Sequence, residues 1–75
     1  MLYRWRRDKQ YFIVHLSQDL FGDWILTRSW GDCDTSRSHC RHELMPSIVA
    51  AHKRVAQIRR SRQVKGFIEQ HSAAN

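Results

Sequence analysis

Most of the side chains that could do chemistry in this 75-residue chain are basic, and the excess of positive charge lies in its second half. There are 13 Lys and Arg residues against 7 Asp and Glu, which gives a formal net charge of +6 at pH 7. Bases and acids balance over residues 1–36, whereas Glu43 and Glu69 are the only acids in residues 37–75. Such a concentration of positive charge is typical of proteins that bind polyanions through phosphate contacts. The alternative is a basic helix face that is simply solvated.

Two groups of bases are placed to contact phosphate. One group flanks Trp30 in the sequence, and the other is predicted to lie on the outward face of a helix. The Trp30 indole could stack on a nucleotide, which is worth roughly 1–3 kcal/mol. Alternatively, it is needed for the core, because a domain of this size has few large hydrophobic residues. The candidate nucleic-acid-binding residues are Trp30 with its flanking bases Arg28, Arg37 and Arg41, and the helix residues Lys53, Arg54 and Arg60.

Cysteine and histidine side chains cluster between residues 33 and 42 and raise the question of a metal site. Structural zinc sites usually pair their ligands at short spacings, with a second pair further along the chain. Here Cys33 stands alone, and the other candidates crowd together at His39, Cys40 and His42. The spacing therefore predicts no metal and no cofactor. Serine, histidine and aspartate residues form no recognisable catalytic constellation, which predicts a protein that is not an enzyme.

The strands that would position these residues are indicated by alternation of apolar and polar side chains. The pattern predicts strands over residues 3–6, 11–16, 24–30 and, more weakly, 37–44. The first is short and is predicted to lie at a sheet edge. In the second, Phe12, Val14 and Leu16 share one face, which we expect to be buried. Gly31 directly follows Trp30 and predicts a sharp turn at that point.

One helix is predicted after the strands. Pro46 and Ser47 are suited to its first turn. A stripe of apolar residues at helical spacing follows, formed by Ile48, Ala51, Val55 and Ile58. Gly66 is expected to end the helix, and Phe67 to fold back onto the core. These elements predict a single ordered domain of strands followed by one amphipathic helix, over residues 1–68, with a frayed tail over residues 69–75.

Length and composition limit the class of protein. Seventy-five residues, 41% of them hydrophobic and 27% charged, suffice for one small domain and are not typical of a disordered chain. No apolar run approaches the roughly 18 residues of a membrane-spanning helix, and residues 1–7 lack the apolar segment of a signal peptide. Two cysteines allow at most one disulfide, so reduced thiols are expected. We therefore expect a cytoplasmic protein with no membrane partner.

Three short motifs resemble the WGR domain family over about residues 3–67. They are Asp19-Leu20-Phe21-Gly22-Asp23-Trp24, then Trp30-Gly31, and then Lys65-Gly66-Phe67 at the end of the basic helix. The resemblance, which is to small stand-alone bacterial proteins, implies an α+β fold, a small antiparallel sheet with one amphipathic helix packed across it. It also implies binding of nucleic acid, with DNA favoured over RNA. In poly(ADP-ribose) polymerases such a domain contacts DNA breaks, with the motif tryptophan near a terminal sugar.

Asp32 stands where the family's Trp-Gly-Arg motif has its arginine, so the chain departs from the pattern at this position. A carboxylate would repel the phosphate that an arginine would pair with. The residues and the resemblance together predict a non-catalytic nucleic-acid-binding module of the WGR type, whose affinity comes mainly from phosphate contacts. The alternative is a protein-interaction module in which the Trp30 turn and Asp32 contact a partner chain.

Overall fold

Five antiparallel strands form one sheet with a helix on one of its faces, in a computed structural model that describes residues 1–70. The elements are β1 (Leu2–Arg7), β2 (Gln10–Gln18), β3 (Trp24–Asp32), β4 (Ser38–Met45), α1 (Ile48–Val64) and β5 (Ile68–Gln70). The order across the sheet is β4-β3-β2-β1-β5. The predicted α+β class is confirmed. Within the described residues, no helix has the length and apolar character needed to cross a bilayer.

The core lies between the helix and one face of the sheet. Phe12, Val14 and Leu16 are buried on the same face of β2, as their period-two spacing predicts. Leu26 of β3 pairs with Leu16 and is fully buried beside it. Burial of this face against α1 is the main source of stability in so small a domain. The other buried hydrophobic residues of the core are Trp5, Met45, Ala51, Val55 and Ile58.

Both ends of α1 have the hydrogen bonds that such ends require. The Ser47 side chain caps the N-terminus, where its oxygen accepts a hydrogen bond from the Ala50 N–H at 3.1 Å. After the helix, Gly66 takes a left-handed backbone conformation, with φ at +85°. The N–H groups of Gly66 and Phe67 donate to the carbonyl oxygens of Gln63 and Arg62, at 3.0 and 2.9 Å. This Schellman motif reverses the chain and brings Phe67 back against the core, as predicted.

The reversal produces a fifth strand, which corrects two predictions. β1 is not an edge strand, because β5 pairs with it through Trp5 and Glu69. Glu69 and Gln70, predicted to begin a frayed tail after residue 68, belong to β5. The Arg59 Nε donates to the Glu69 Oε1 at 2.7 Å and so ties the strand to the helix. Residues 71–75, the remainder of the predicted tail, lie outside the described residues.

Two leucines provide a matched test of this core. Leu26 is 0% exposed, whereas Leu20, in the β2–β3 hairpin loop, is 101% exposed. Leu26→Ala should lower the free energy of unfolding by about 2–5 kcal/mol, because it leaves a cavity beside Leu16. Leu20→Ala should leave it nearly unchanged. Urea unfolding followed by circular dichroism measures both, and equal effects of the two substitutions would contradict the assignment of the buried face.

Candidate nucleic-acid interface

The helix-facing side of the sheet changes from apolar to basic along β3. After the buried Leu26, the next residues that face the helix on this strand are Arg28 and Trp30. Arg41 of β4 lies directly opposite Arg28. These side chains and two arginines of α1 border a cleft of about 370 Å³ between the sheet and the helix. We call this the arginine cleft, and its main lining residues are Arg28, Arg41, Arg54, Arg62, Phe12 and Trp30.

A single carboxylate partly compensates the charge of the arginine cleft. The Oε1 atom of Glu43 lies 3.3 Å from the Arg54 Nε and 4.0 Å from the Arg28 Nη2. Within residues 1–70, no other carboxylate comes within 4.0 Å of a nitrogen of the four cleft arginines. Four guanidinium groups and one carboxylate leave a formal charge of +3 in the cleft. Like charges opposite each other on neighbouring strands, such as Arg28 and Arg41, oppose folding.

Two of these arginines also carry buried donors without an acceptor. The Nε atoms of Arg28 and Arg62 are buried and have no hydrogen-bond partner among the described residues. The Arg62 guanidinium carbon lies 4.4 Å from the centre of the Phe12 ring and 5.1 Å from that of Phe67. Partial burial lowers the pKa of Arg62 below its ordinary value, and the positive charge of Arg28 lowers it further. An anion in the cleft would accept from these donors and offset the repulsion.

Trp30 lies in a strand and not in a turn, because it is paired with Phe12 of β2 and His39 of β4. Its indole stacks on both neighbours, at 6.0 Å and 19° to the Phe12 ring and at 5.5 Å and 21° to the His39 ring. We call these three rings the aromatic ladder. Since a ring lies on each side of Trp30, a base cannot stack on the indole unless His39 moves. His39 is exposed on the edge strand, so its outer face is the place where the ladder can accept another ring.

A second cavity, of about 290 Å³, lies beyond Trp30 near the end of β3. We call it the terminal cavity. It shares Phe12, Trp30 and Arg62 with the arginine cleft. Its other lining residues include Asp32, Arg37 and Phe67.

Gly31 is needed for close approach of the chain beside this cavity and not for the sharp turn that was predicted. A Cβ atom added at Gly31 would lie 2.4 Å from the Arg37 carbonyl oxygen and 3.1 Å from the Tyr11 hydroxyl. The residue belongs to β3, paired with Tyr11 on one side and Ser38 on the other. The turn follows later, in the loop between β3 and β4.

The structure brings together some of the predicted binding residues and separates others. Arg28, Trp30, Arg41 and Arg54 line the arginine cleft, and Arg37 lines the terminal cavity. Lys53 and Arg60 are exposed on the side of α1 opposite its buried stripe and line neither space. Arg62 was missed as a site residue, although its helical spacing from Ile58 places it on the buried stripe. His39 was missed because its contact with Trp30 depends on the register of β4.

The cysteine and histidine cluster is divided between two faces of the sheet. Since side chains alternate along β4, His39 faces the helix side whereas Cys40 and His42 face the opposite side. Cys33 lies in the loop between β3 and β4, and both cysteines are free and exposed. Over residues 1–70, no three His, Cys, Asp or Glu side chains are grouped closely enough to hold a metal ion.

The close approach of the Arg37 backbone to Gly31 can be tested by substitution of the glycine. Gly31→Ala should lower the free energy of unfolding by about 1–3 kcal/mol, because its methyl group would displace the backbone at Arg37. Ser38→Ala is the control, since Ser38 is exposed on the neighbouring strand. Thermal unfolding and amide chemical shifts measure both effects. Unchanged stability and unchanged Arg37 shifts in Gly31→Ala would show that the loop is not packed against this glycine.

Comparison of the chain with protein-family models, with curated proteins and with solved structures found no match. A function for this chain therefore has to be argued from its residues and from the geometry of the arginine cleft.

Proposed function

We propose that the chain is a non-catalytic nucleic-acid-binding module of the WGR type, which binds phosphates of the backbone in the arginine cleft. The observation that carries the proposal is the environment of Arg28. This side chain lies opposite Arg41 and close enough to Arg62 to lower the pKa of Arg62, and its buried Nε has no acceptor within residues 1–70. A folded domain keeps such an arrangement at a cost in stability, and a bound anion would offset that cost.

Several features favour a polyanion over a small isolated anion. The cleft has four arginines along its length, and planar guanidinium groups are suited to bidentate contact with phosphate. The chain as a whole carries a net charge of +6, which would steer it towards nucleic acid and increase the association rate. The cleft arginines are assigned to phosphates, which carry no sequence information, so sequence preference should be weak. The exposed face of His39 offers stacking that does not depend on the identity of the base.

Protein interaction is the second candidate function, but the partner would bind at a different surface from the Trp30 and Asp32 region that the sequence predicted. Trp30 is partly buried in the aromatic ladder, which argues against a partner site centred on it. By contrast, Leu20 and Phe21 at the hairpin tip are 101% and 90% exposed. The Asp19 carboxylate accepts hydrogen bonds from the N–H groups of Phe21 and Asp23, both at 2.9 Å, which orders this apolar tip. A partner protein would contact this hairpin tip.

We also propose a cytoplasmic location, which the free and exposed thiols of Cys33 and Cys40 support. Thiols persist in the reducing environment of that compartment, whereas secreted domains of this size usually contain disulfides.

Salt dependence and single arginine substitutions test the phosphate contacts. If three or four phosphates are contacted, log Kobs for duplex DNA should fall with log[salt] at a slope of about −2.7 to −3.6. Arg28→Gln and Arg41→Gln should each weaken binding on the order of tenfold and reduce the slope by about 1. Fluorescence anisotropy with a labelled oligonucleotide measures both quantities.

Arg60→Gln is the matched control, since it removes the same charge from the far side of α1. It should weaken binding only slightly, through the loss of long-range attraction. Equal losses in all three variants would contradict a site in the cleft, and a flat salt slope would contradict the proposed function. Loss of a protein partner on Phe21→Ala, with nucleic-acid binding absent, would favour the second candidate.

A further inference from the structure

Asp32 is an acid next to the basic cleft, and its carboxylate is available to a ligand. It faces the helix side of β3, like Arg28 and Trp30, and lines the terminal cavity. Within residues 1–70, no hydrogen bond and no ion pair reaches the Asp32 carboxylate. Asp34, two residues away, is by contrast paired with Lys9 at 2.7 Å. The terminal cavity therefore offers a ligand a partly buried acceptor.

The two adjoining spaces differ in the groups that they offer a ligand. The arginine cleft favours an anion, and Arg37 and Arg62 also line the terminal cavity. The Asp32 carboxylate in that cavity, by contrast, can only accept hydrogen bonds and repels phosphate. A ligand that fills both spaces and contacts Asp32 would carry a phosphate at one end and O–H or N–H donors at the other. A nucleotide has this polarity, and its donors are the hydroxyl groups of the sugar and the amino and imino groups of the base.

The position of Arg62 favours the sugar. Arg62 borders both spaces, so a phosphate bound to it lies at the boundary between them. The group esterified to that phosphate is the sugar, which therefore reaches Asp32 first, and the base lies one ring further away. The 2′- and 3′-hydroxyls of a ribose present two donors side by side to the two oxygens of a carboxylate. Acidic side chains recognise ribose hydroxyls in this way in dinucleotide-binding proteins, and the 2′-hydroxyl is the group that distinguishes RNA from DNA.

We propose that the terminal cavity binds a ribose with free 2′- and 3′-hydroxyls through Asp32, while the 5′-phosphate of the same nucleotide lies at Arg62. This inference rests on the proposed function and gives its ligand class, a ribonucleotide with an intact cis-diol. Such a sugar occurs at the 3′ end of RNA and in free ribonucleotides. The ribose site would favour RNA over DNA, which reverses the expectation from the sequence. It would also assign a binding role to Asp32, the acid that replaces the motif arginine.

The test uses one labelled single-stranded RNA with two versions of its last residue, an intact ribose or a 2′,3′-dideoxyribose. Anisotropy at low salt should show the intact end binding on the order of tenfold more tightly than the dideoxy end. Asp32→Asn should largely remove this difference, because an amide offers one acceptor where the carboxylate offers two. Asp34→Asn is the control and should keep the difference, since Asp34 lines neither space. Competition by a ribonucleoside 5′-monophosphate, absent with its 2′,3′-dideoxy analogue, would identify free nucleotides as a source of the same ligand.

The same measurements distinguish failure of the ribose site from failure of the proposed nucleic-acid binding. Equal binding of the two RNA ends with a steep salt dependence would overturn the ribose site and leave the arginine cleft in place. A preference for the intact end that stays the same in Asp32→Asn would also overturn it, because the sugar would then be recognised without the Asp32 carboxylate. Absence of binding to either RNA and to matched DNA at low salt would overturn the proposed function together with this inference.

Discussion

The position of one charged side chain, Arg62, determines the architecture of the site. Ala51, Val55 and Ile58 form the buried stripe of α1, and the next position on that stripe is Arg62 in place of an apolar residue. Its guanidinium packs over Phe12 but cannot be fully buried without a partner, so the end of the helix does not close onto the sheet. The space that results becomes the arginine cleft and the terminal cavity. Phe67, returned by the Schellman motif, packs against Arg62 from the other direction.

The antiparallel register then decides which side chains line that space. It places Arg28 opposite Arg41, and it aligns Phe12, Trp30 and His39 into the aromatic ladder. Ala51, Val55 and Ile58 of the helix cover the apolar core, whereas Arg28 and Arg62, whose buried Nε atoms have no partner within residues 1–70, line the cleft beside it. Phe12 belongs to both, so the binding surface is built directly onto the core. This arrangement allows a domain of 75 residues to keep a group of poorly compensated arginines.

Local periodicity predicted four of the five strands and the helix, but not the fifth strand or the site. The alternation in β2 and the helical stripe identified the buried faces, because both signals depend on neighbours in sequence. β5 was not predicted, because a strand of three residues is too short to show an alternation of apolar and polar side chains. Its pairing with β1 depends on where the chain reverses after the helix. Gly31 was assigned to a turn because its role, the approach of the Arg37 carbonyl, is visible only once the two strands are paired. Lys53, Arg54 and Arg60 were grouped because helical spacing shows which residues face away from the buried stripe, but not which of them borders a cleft.

The central claim is that the unpartnered arginine donors of the cleft are the binding site, and NMR of the arginine Nε–H groups tests it most directly. During titration with a 3′-ended RNA, the Nε–H resonances of Arg28 and Arg62 should shift together and exchange more slowly with water, because a phosphate accepts from them. The Arg59 resonance should stay in place, since its Nε already donates to Glu69 at 2.7 Å. Movement of the Arg60 resonance on the outer face of α1, with those of Arg28 and Arg62 unchanged, would contradict the account.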